Sequence, residues 1–238
     1  METVAMKEKC WSSDFEAGNV YDAFCMLDKD LRAKGGSIKD SCIRTWIYMQ
    51  DIAKDYSSMV SDRARFFEEA GITNTYIAST GIQIPNVGAP IRLAAYSVVG
   101  IDRDDVLQLD ATELMCHPKE YGVTFERGTR IRLQNRYIYF VSGTASVDKF
   151  GKSVHKGSLT NQLDRAMENI FGVLQSGGAS LDDLKSMKVY LKDMHEEQNV
   201  AHALEYYSGG CHIDIIPAVV CRPELLVEIE GVASKEAL

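Results

Sequence analysis

A chain of 238 residues, 45% hydrophobic and 25% charged, is long enough to bury one large core or two small ones. Its net charge of −8 and its lack of any long basic run exclude the stripe that a general nucleic-acid binder needs. Six scattered cysteines without a C-x-x-C pair, no apolar run of bilayer length and no signal-like apolar stretch near the first residues predict a cytoplasmic protein with reduced thiols.

In chain order, Asn19 is placed to cap a helix over 20–34, which Gly35 and Gly36 end by supplying the left-handed cap. A strand over 41–49 follows, with Arg44, Trp46 and Tyr48 on one face. A helix near 58–70 and strands near 75–79 and 91–100 complete the first half. Residues from about 102 to 121 are acidic and aperiodic, and 106–120 read as a linker. Strands are predicted over 123–127, 128–132 and 136–146. Ser158 then caps a helix whose stripe is Leu159, Leu163, Met167, Ile170, Phe171 and Leu174, closed by Gly177 and Gly178. In the next strand Met187, Val189 and Leu191 alternate with Lys188, Tyr190 and Lys192. A second helix over 195–207 and strands over 216–222 and 225–233 end the chain.

The order repeats. Residues 37–52 match 180–194 with one residue missing, and each copy follows a helix closed by a glycine pair. Two tandem α+β units result, 1–105 and 121–238, each a mixed sheet with two helices on one face. Fewer residues precede the first helix than its counterpart, so the first unit is expected to lack most of its opening strands. The other sheet face carries Arg44, Trp46 and Tyr48 in one copy, and Lys188 and Tyr190 in the other. Large aromatics on an uncovered face predict contact with another sheet or subunit, and a homotrimer is the expectation.

The last strand holds the sharpest chemical signal. Glu228 and Glu230 share one face while Val227 and Ile229 share the other. The pair is either a solvated polar face or, beside apolar neighbours and Cys221, an acid with a raised pKa.

Tyr139-Phe140-Val141-Ser142-Gly143, Ser180-Leu181-Asp182-Asp183-Leu184, Val189-Tyr190-Leu191-Lys192-Asp193 and Val227-Glu228-Ile229-Glu230 together resemble the Rid (YjgF, endoribonuclease L-PSP-like) superfamily, of chorismate-mutase-like fold. Phe125-Glu126-Arg127-Gly128, Ser142-Gly143-Thr144-Ala145-Ser146, Cys221 seven residues before Glu228, Thr45-Trp46-Ile47-Tyr48 and Ala78-Ser79-Thr80-Gly81 look like its chorismatase branch. Two departures count against ordinary imine deamination: Val219 follows Pro217-Ala218 where those enzymes carry arginine, and Phe125 replaces the usual tyrosine.

The resemblance implies hydrolysis of the enolpyruvyl ether of chorismate with release of pyruvate, and no cofactor. Glu228 takes the family's acid position and Cys221 that of a thiol shaping water access. With Ala145, Cys221 is similar to the hydroxybenzoate-forming branch. Arg127 and Arg222 are the candidate carboxylate clamps, an alternative for each being a surface ion pair, and Phe125 lines the same motif. A rival from another class is a Rid relative that binds small carboxylates without strong catalysis; imine deaminase and endoribonuclease activities come third. Phe150-Gly151-Lys152-Ser153 lacks the upstream glycine of a phosphate loop, the five histidines show no metal spacing, and no G-x-S-x-G occurs. No metal, nucleic-acid or membrane partner is expected.

Overall fold

The structure, a computed structural model, describes residues 8–237. Its elements run β1 (Lys9–Ala17), α1 (Val20–Ala33), the single turn α2 (Ile38–Ser41), β2 (Cys42–Met49), α3 (Ile52–Glu69), β3 (Ala78–Gln83) and β4 (Ile91–Val99). After these come β5 (Val106–Leu109), β6 (Gly128–Leu133), β7 (Arg136–Ala145), α4 (Leu159–Ser176), β8 (Leu184–Leu191), α5 (Glu197–Ser208), β9 (His212–Pro217) and β10 (Val227–Glu236). The first sheet has the order β1-β4-β2-β3 and the second β5-β6-β7-β10-β8-β9, with β2/β3 and β8/β9 parallel and the rest antiparallel. Laid over each other, β1, β2, β3 and β4 take the places of β7, β8, β9 and β10. Among the described residues the first unit shows no counterpart of β5 or β6, but it does have the strand that precedes its first helix.

Local chemistry explains the helices. Asn19 accepts the amide of Asp22 at 2.8 Å, and Val20, Ala23, Phe24, Leu27 and Leu31 recur on the buried face of α1. α3 begins at Ile52, six residues before the sequence signal, because Asp51 caps it by accepting the amide of Lys54. Ser158 caps α4, which buries Leu163, Met167, Ile170 and Leu174; Phe171, counted into that stripe, is 38% exposed. Among the described residues no helix is long and apolar enough to cross a membrane.

Four strand assignments change. β1 escapes period-two reading because it is an edge strand, largely exposed, defined by its pairing with β4 from Lys9↔Val99 to Ala17↔Ile91. Residues 106–109, expected in a linker, form β5 and pair with β6. Residues 123–127 and 218–222, expected as strands, make only single bridges, Glu126 to Ala78 and Val219 to Gln83.

Each sheet buries one face under its own helices. In the first core Ile47, Met49, Leu93 and Ala95 meet α1 and α3, and in the second Met187, Val189, Val227 and Ile229 meet α4 and α5. The two remaining faces pack on each other inside the chain. One seam cluster joins Ile82, Tyr48 and Ile84 to Ala145, Tyr190, Ala218, Val220 and Leu225; another joins Ile43, Val98 and Ile101 to Ile131 and Phe140. Tyr190 is fully buried there. The aromatic face from which a homotrimer was inferred is thus covered by the chain's own second sheet, which removes that argument for subunit association. The apolar clusters on the two faces favour burying them against each other.

Candidate active site

Between the two seam clusters lies a polar stretch, and it is built by a bulge. β10 pairs Glu228 with Ala145 and Ile229 with Thr144, then resumes at Gly231 with Val141, so Ser142 and Gly143 together face Glu230. A bulge leaves ladder groups free and re-aims side chains. Here the amide of Gly143 donates to Thr80 Oγ1 at 2.9 Å. The Ser142 hydroxyl accepts the amide of Ser79 at 2.9 Å and donates to the carbonyl of Glu126 at 2.6 Å. The edge strand β3 of the first unit is in this way sewn across β7 of the second.

Glu228 and Glu230 do share a face, the one turned towards the first unit, and each is 7% exposed. Glu228 stands between Ala145 on β7 and Tyr190 on β8. Beneath it Gly143 leaves the carboxyl its place: a Cβ there would lie 2.0 Å from Glu228 Oε1 and 2.9 Å from Thr80 Cγ2, so a side chain would have to shift. Burial first, and the neighbouring Glu230 second, push the Glu228 carboxyl up from an ordinary 4.5 to about 8, with Arg44 and Arg127 partly opposing. At neutral pH the group is therefore mostly the protonated acid.

Glu230 is engaged differently. Its Oε2 accepts from Arg44 Nη2 at 2.9 Å and from the Thr80 hydroxyl at 2.6 Å, and its Oε1 accepts from Trp46 Nε1 at 2.7 Å. Arg44, almost completely buried, also reaches Thr80 Oγ1 and the carbonyl of Thr45.

Glu228 opens into a cleft of about 720 Å³, counting its mouth. All six residues singled out from the sequence line it: Phe125, Arg127, Ala145, Cys221, Arg222 and Glu228. The first unit contributes Tyr56, Met59 and Arg63 from α3, and Ser79 and Gly81 from β3. The cleft therefore lies between the units, and the first half supplies one wall.

Arg127, 5% exposed, donates to the carbonyl of Cys116 at 3.0 Å and sits 5.4 Å from the centre of the Phe125 ring. Arg63, 3% exposed, lies 5.7 Å from the same ring and donates to Thr124 Oγ1 at 3.0 Å. Two guanidinium groups thus flank one aromatic ring at cation–π distance. Arg63 was missed in the sequence because it sits in a helical segment rich in charges, where arginine reads as solvated surface. Only its neighbour Phe66 on a buried face hinted otherwise. Arg222 is placed at the cleft but its Nη1 donates to the carbonyl of Gly151 at 2.6 Å and to Ser153 Oγ at 3.3 Å, bracing the loop between β7 and α4. Burial and the Glu228 carboxyl push the Cys221 thiol up to about 12, against opposing contributions from Arg222 and Tyr56. It is a neutral wall, not a thiolate nucleophile. Val219 has its backbone paired in both directions with Gln83, and its side chain is half-exposed.

Chemically, the cleft offers a protonated carboxyl at its floor and buried guanidinium groups at its side. That combination can donate a proton to an anionic substrate.

Comparisons with known proteins agree with this architecture. The family model for Endoribonuclease L-PSP matches residues 129–235. The chain is 31% identical over 218 residues to a 3-hydroxybenzoate synthase of Streptomyces hygroscopicus, covering 81% of this chain and 63% of that protein. It thus spans less than two thirds of the synthase's length. A RutC family protein of Pyrococcus abyssi is 32% identical over 99 residues, 41% of this chain and 78% of the relative. The fold superposes on a crystal structure of chorismatase with a TM-score of 0.76 at 23% identity, over 95% of this chain and 74% of that one. The chain belongs to the Rid (YjgF, endoribonuclease L-PSP) superfamily.

Proposed function

We propose that the protein cleaves the enolpyruvyl ether of chorismate and releases pyruvate, with Glu228 as the acid. The observation that carries the reading is a carboxyl held protonated near neutral pH on the floor of an arginine-walled cleft. Similarity to a 3-hydroxybenzoate synthase supports chorismate as the substrate, and the likeness to a chorismatase structure supports the fold.

An enol ether is cleaved by protonating its terminal methylene carbon. The Glu228 O–H bond breaks, the alkene π pair forms the new C–H bond, and the adjacent carbon becomes an oxocarbenium ion. Water adds to that carbon and returns a proton to the Glu228 carboxylate. The hemiketal then collapses: the bond to the ring oxygen breaks, leaving pyruvate and a ring alcohol. Loss of one water from that ring gives a hydroxybenzoate, so an aromatic product balances with no net water consumed. Arg127 and Arg63 hold the substrate's carboxylates, one guanidinium from each half of the chain. Phe125 between them fixes their spacing, and Cys221 and Ala145 shape the space around the acid. Arg222, engaged by the loop, serves as a brace that presents the cleft wall.

The test is to supply purified protein with chorismate and follow pyruvate through a lactate dehydrogenase couple, with the ring product identified by chromatography. Pyruvate from the wild type and a loss of about a hundredfold or more in Glu228→Gln are expected, since the amide has no proton to give carbon. Binding of chorismate without pyruvate release by the wild type would replace this reading with that of a carboxylate-binding protein.

A further inference from the structure

The acid is on the second unit, yet the groups that fix its electrostatic neighbour are all on the first. Thr80 Oγ1 has two donors pointing at it, Arg44 Nη2 and the Gly143 amide, which fill its acceptor capacity. Its single proton must then go to Glu230 Oε2, 2.6 Å away. Arg44 and Trp46 Nε1 are likewise donors with no acceptor to offer. A proton on Glu230 would therefore meet only donors, and the cage fits the carboxylate alone. The same Thr80 reaches the other carboxyl through Gly143, whose amide it holds and on which a Cβ would lie 2.0 Å from Glu228 Oε1.

We propose that Arg44, Trp46 and Thr80 are positioning residues which lock Glu230 as a fixed anion beside Glu228, so that the first unit keeps the proton on the acid of the second. The inference rests on the reading of Glu228 as the acid. Other groups facing Glu228 are Tyr190 on β8, Tyr48 on β2, Tyr56 and Arg63 on α3, Arg127 before β6, and Cys221 and Arg222 in the turn before β10. The arginines favour the carboxylate form of Glu228, and the neutral phenols and thiol add no opposing charge. Glu230 is the one anion among these neighbours, which is why its fixation matters. Two carboxylates two residues apart on one strand face are separated by roughly 7 Å, close enough in a buried seam for one charge to suppress the other.

The experiment follows the glutamate side-chain carboxyl carbons of the full chain by ¹³C NMR from pH 5 to 9, with Glu228→Gln and Glu230→Gln assigning the two resonances. In the wild type the Glu228 carboxyl should titrate near pH 8. Glu230→Gln removes the anion and leaves Arg44 facing the acid, so the Glu228 midpoint should fall by at least one pH unit, a tenfold loss of protonated acid at a fixed pH above it. Glu230→Asp, which keeps the charge, should restore most of the midpoint, and Thr80→Val should lower it by a smaller amount. The alkaline limb of pyruvate release should move with the midpoint, whereas a purely structural defect lowers the plateau and leaves the limb in place. An unmoved Glu228 midpoint in Glu230→Gln overturns the proposal. So does a wild type in which Glu230 carries the proton and Glu228 the charge, a result available even if Glu230→Gln does not fold. Titrations as expected with no pyruvate from the wild type would uphold the positioning and sink the chorismate reading separately.

Discussion

Replacing Glu228 by glutamine should make the protein more stable as it removes the acid. A carboxyl whose pKa rises on folding from 4.5 to about 8 binds more protons in the native state than in the unfolded one across that interval. Stability therefore falls with rising pH between those values, at up to about 1.4 kcal/mol per pH unit, and the full penalty is present above pH 8. Integrated, Glu228 withdraws roughly 3 kcal/mol from the fold between pH 5 and pH 8. The amide has no such titration. Urea unfolding of wild type and Glu228→Gln at pH 5, 6, 7 and 8 should give curves that diverge with pH, the variant gaining about 3 kcal/mol relative to the wild type by pH 8. Some of the gain will be offset if the amide leaves a hydrogen-bonding group unpaired, but that offset is the same at every pH. Stability differences that stay constant from pH 5 to pH 8 would refute the raised acid, whatever the enzyme assay returns.

Arg63→Ala and Arg127→Ala should each weaken binding of chorismate or a non-hydrolysable analogue by about 2–5 kcal/mol in calorimetry, as expected for truncating a buried charge at an anion. Unchanged affinity in either would take that arginine out of the site. Gly143→Ala should abolish pyruvate release and lower the unfolding midpoint, because its Cβ would lie 2.0 Å from Glu228 Oε1; an active, equally stable variant would show that the carboxyl has room to move. Cys221, with its thiol pushed up to about 12, should resist iodoacetamide at pH 8 while the exposed Cys10 and Cys25 are alkylated, as read by peptide mass spectrometry. Tyr190→Lys should unfold the protein instead of dissociating an assembly, since Tyr190 is buried between the chain's own sheets; a folded variant whose only change is a smaller mass in light scattering would restore the subunit interface.

Much of this architecture was legible because local chemistry writes it. The caps at Asn19 and Ser158 follow from side-chain chemistry, the stripe of α4 from helical period, and the alternation along β8 and β10 from strand period. That alternation alone put Glu228 and Glu230 on one face and Val227 and Ile229 on the other. The repeated motif gave two like units, and the phrases around Arg127 and Cys221 gave residues that the fold gathers into one cleft. β1 and β5 were invisible because an edge strand needs no apolar alternation when its definition is a hydrogen-bonded neighbour. What covers the aromatic faces could not be read either. A sheet face records that it must be buried, and the same side chains serve a partner subunit or a second sheet equally well. Tertiary structure alone decided that Arg44 and Glu230, separated by 186 positions, form an ion pair, and that Thr80 bridges the strand beneath the acid. Such contacts carry no local period, because proximity across a seam is set by how two finished sheets dock and not by the spacing within either. Arg63 shows the same limit: only the docking turned a residue of a charged helix into the wall of a buried cleft.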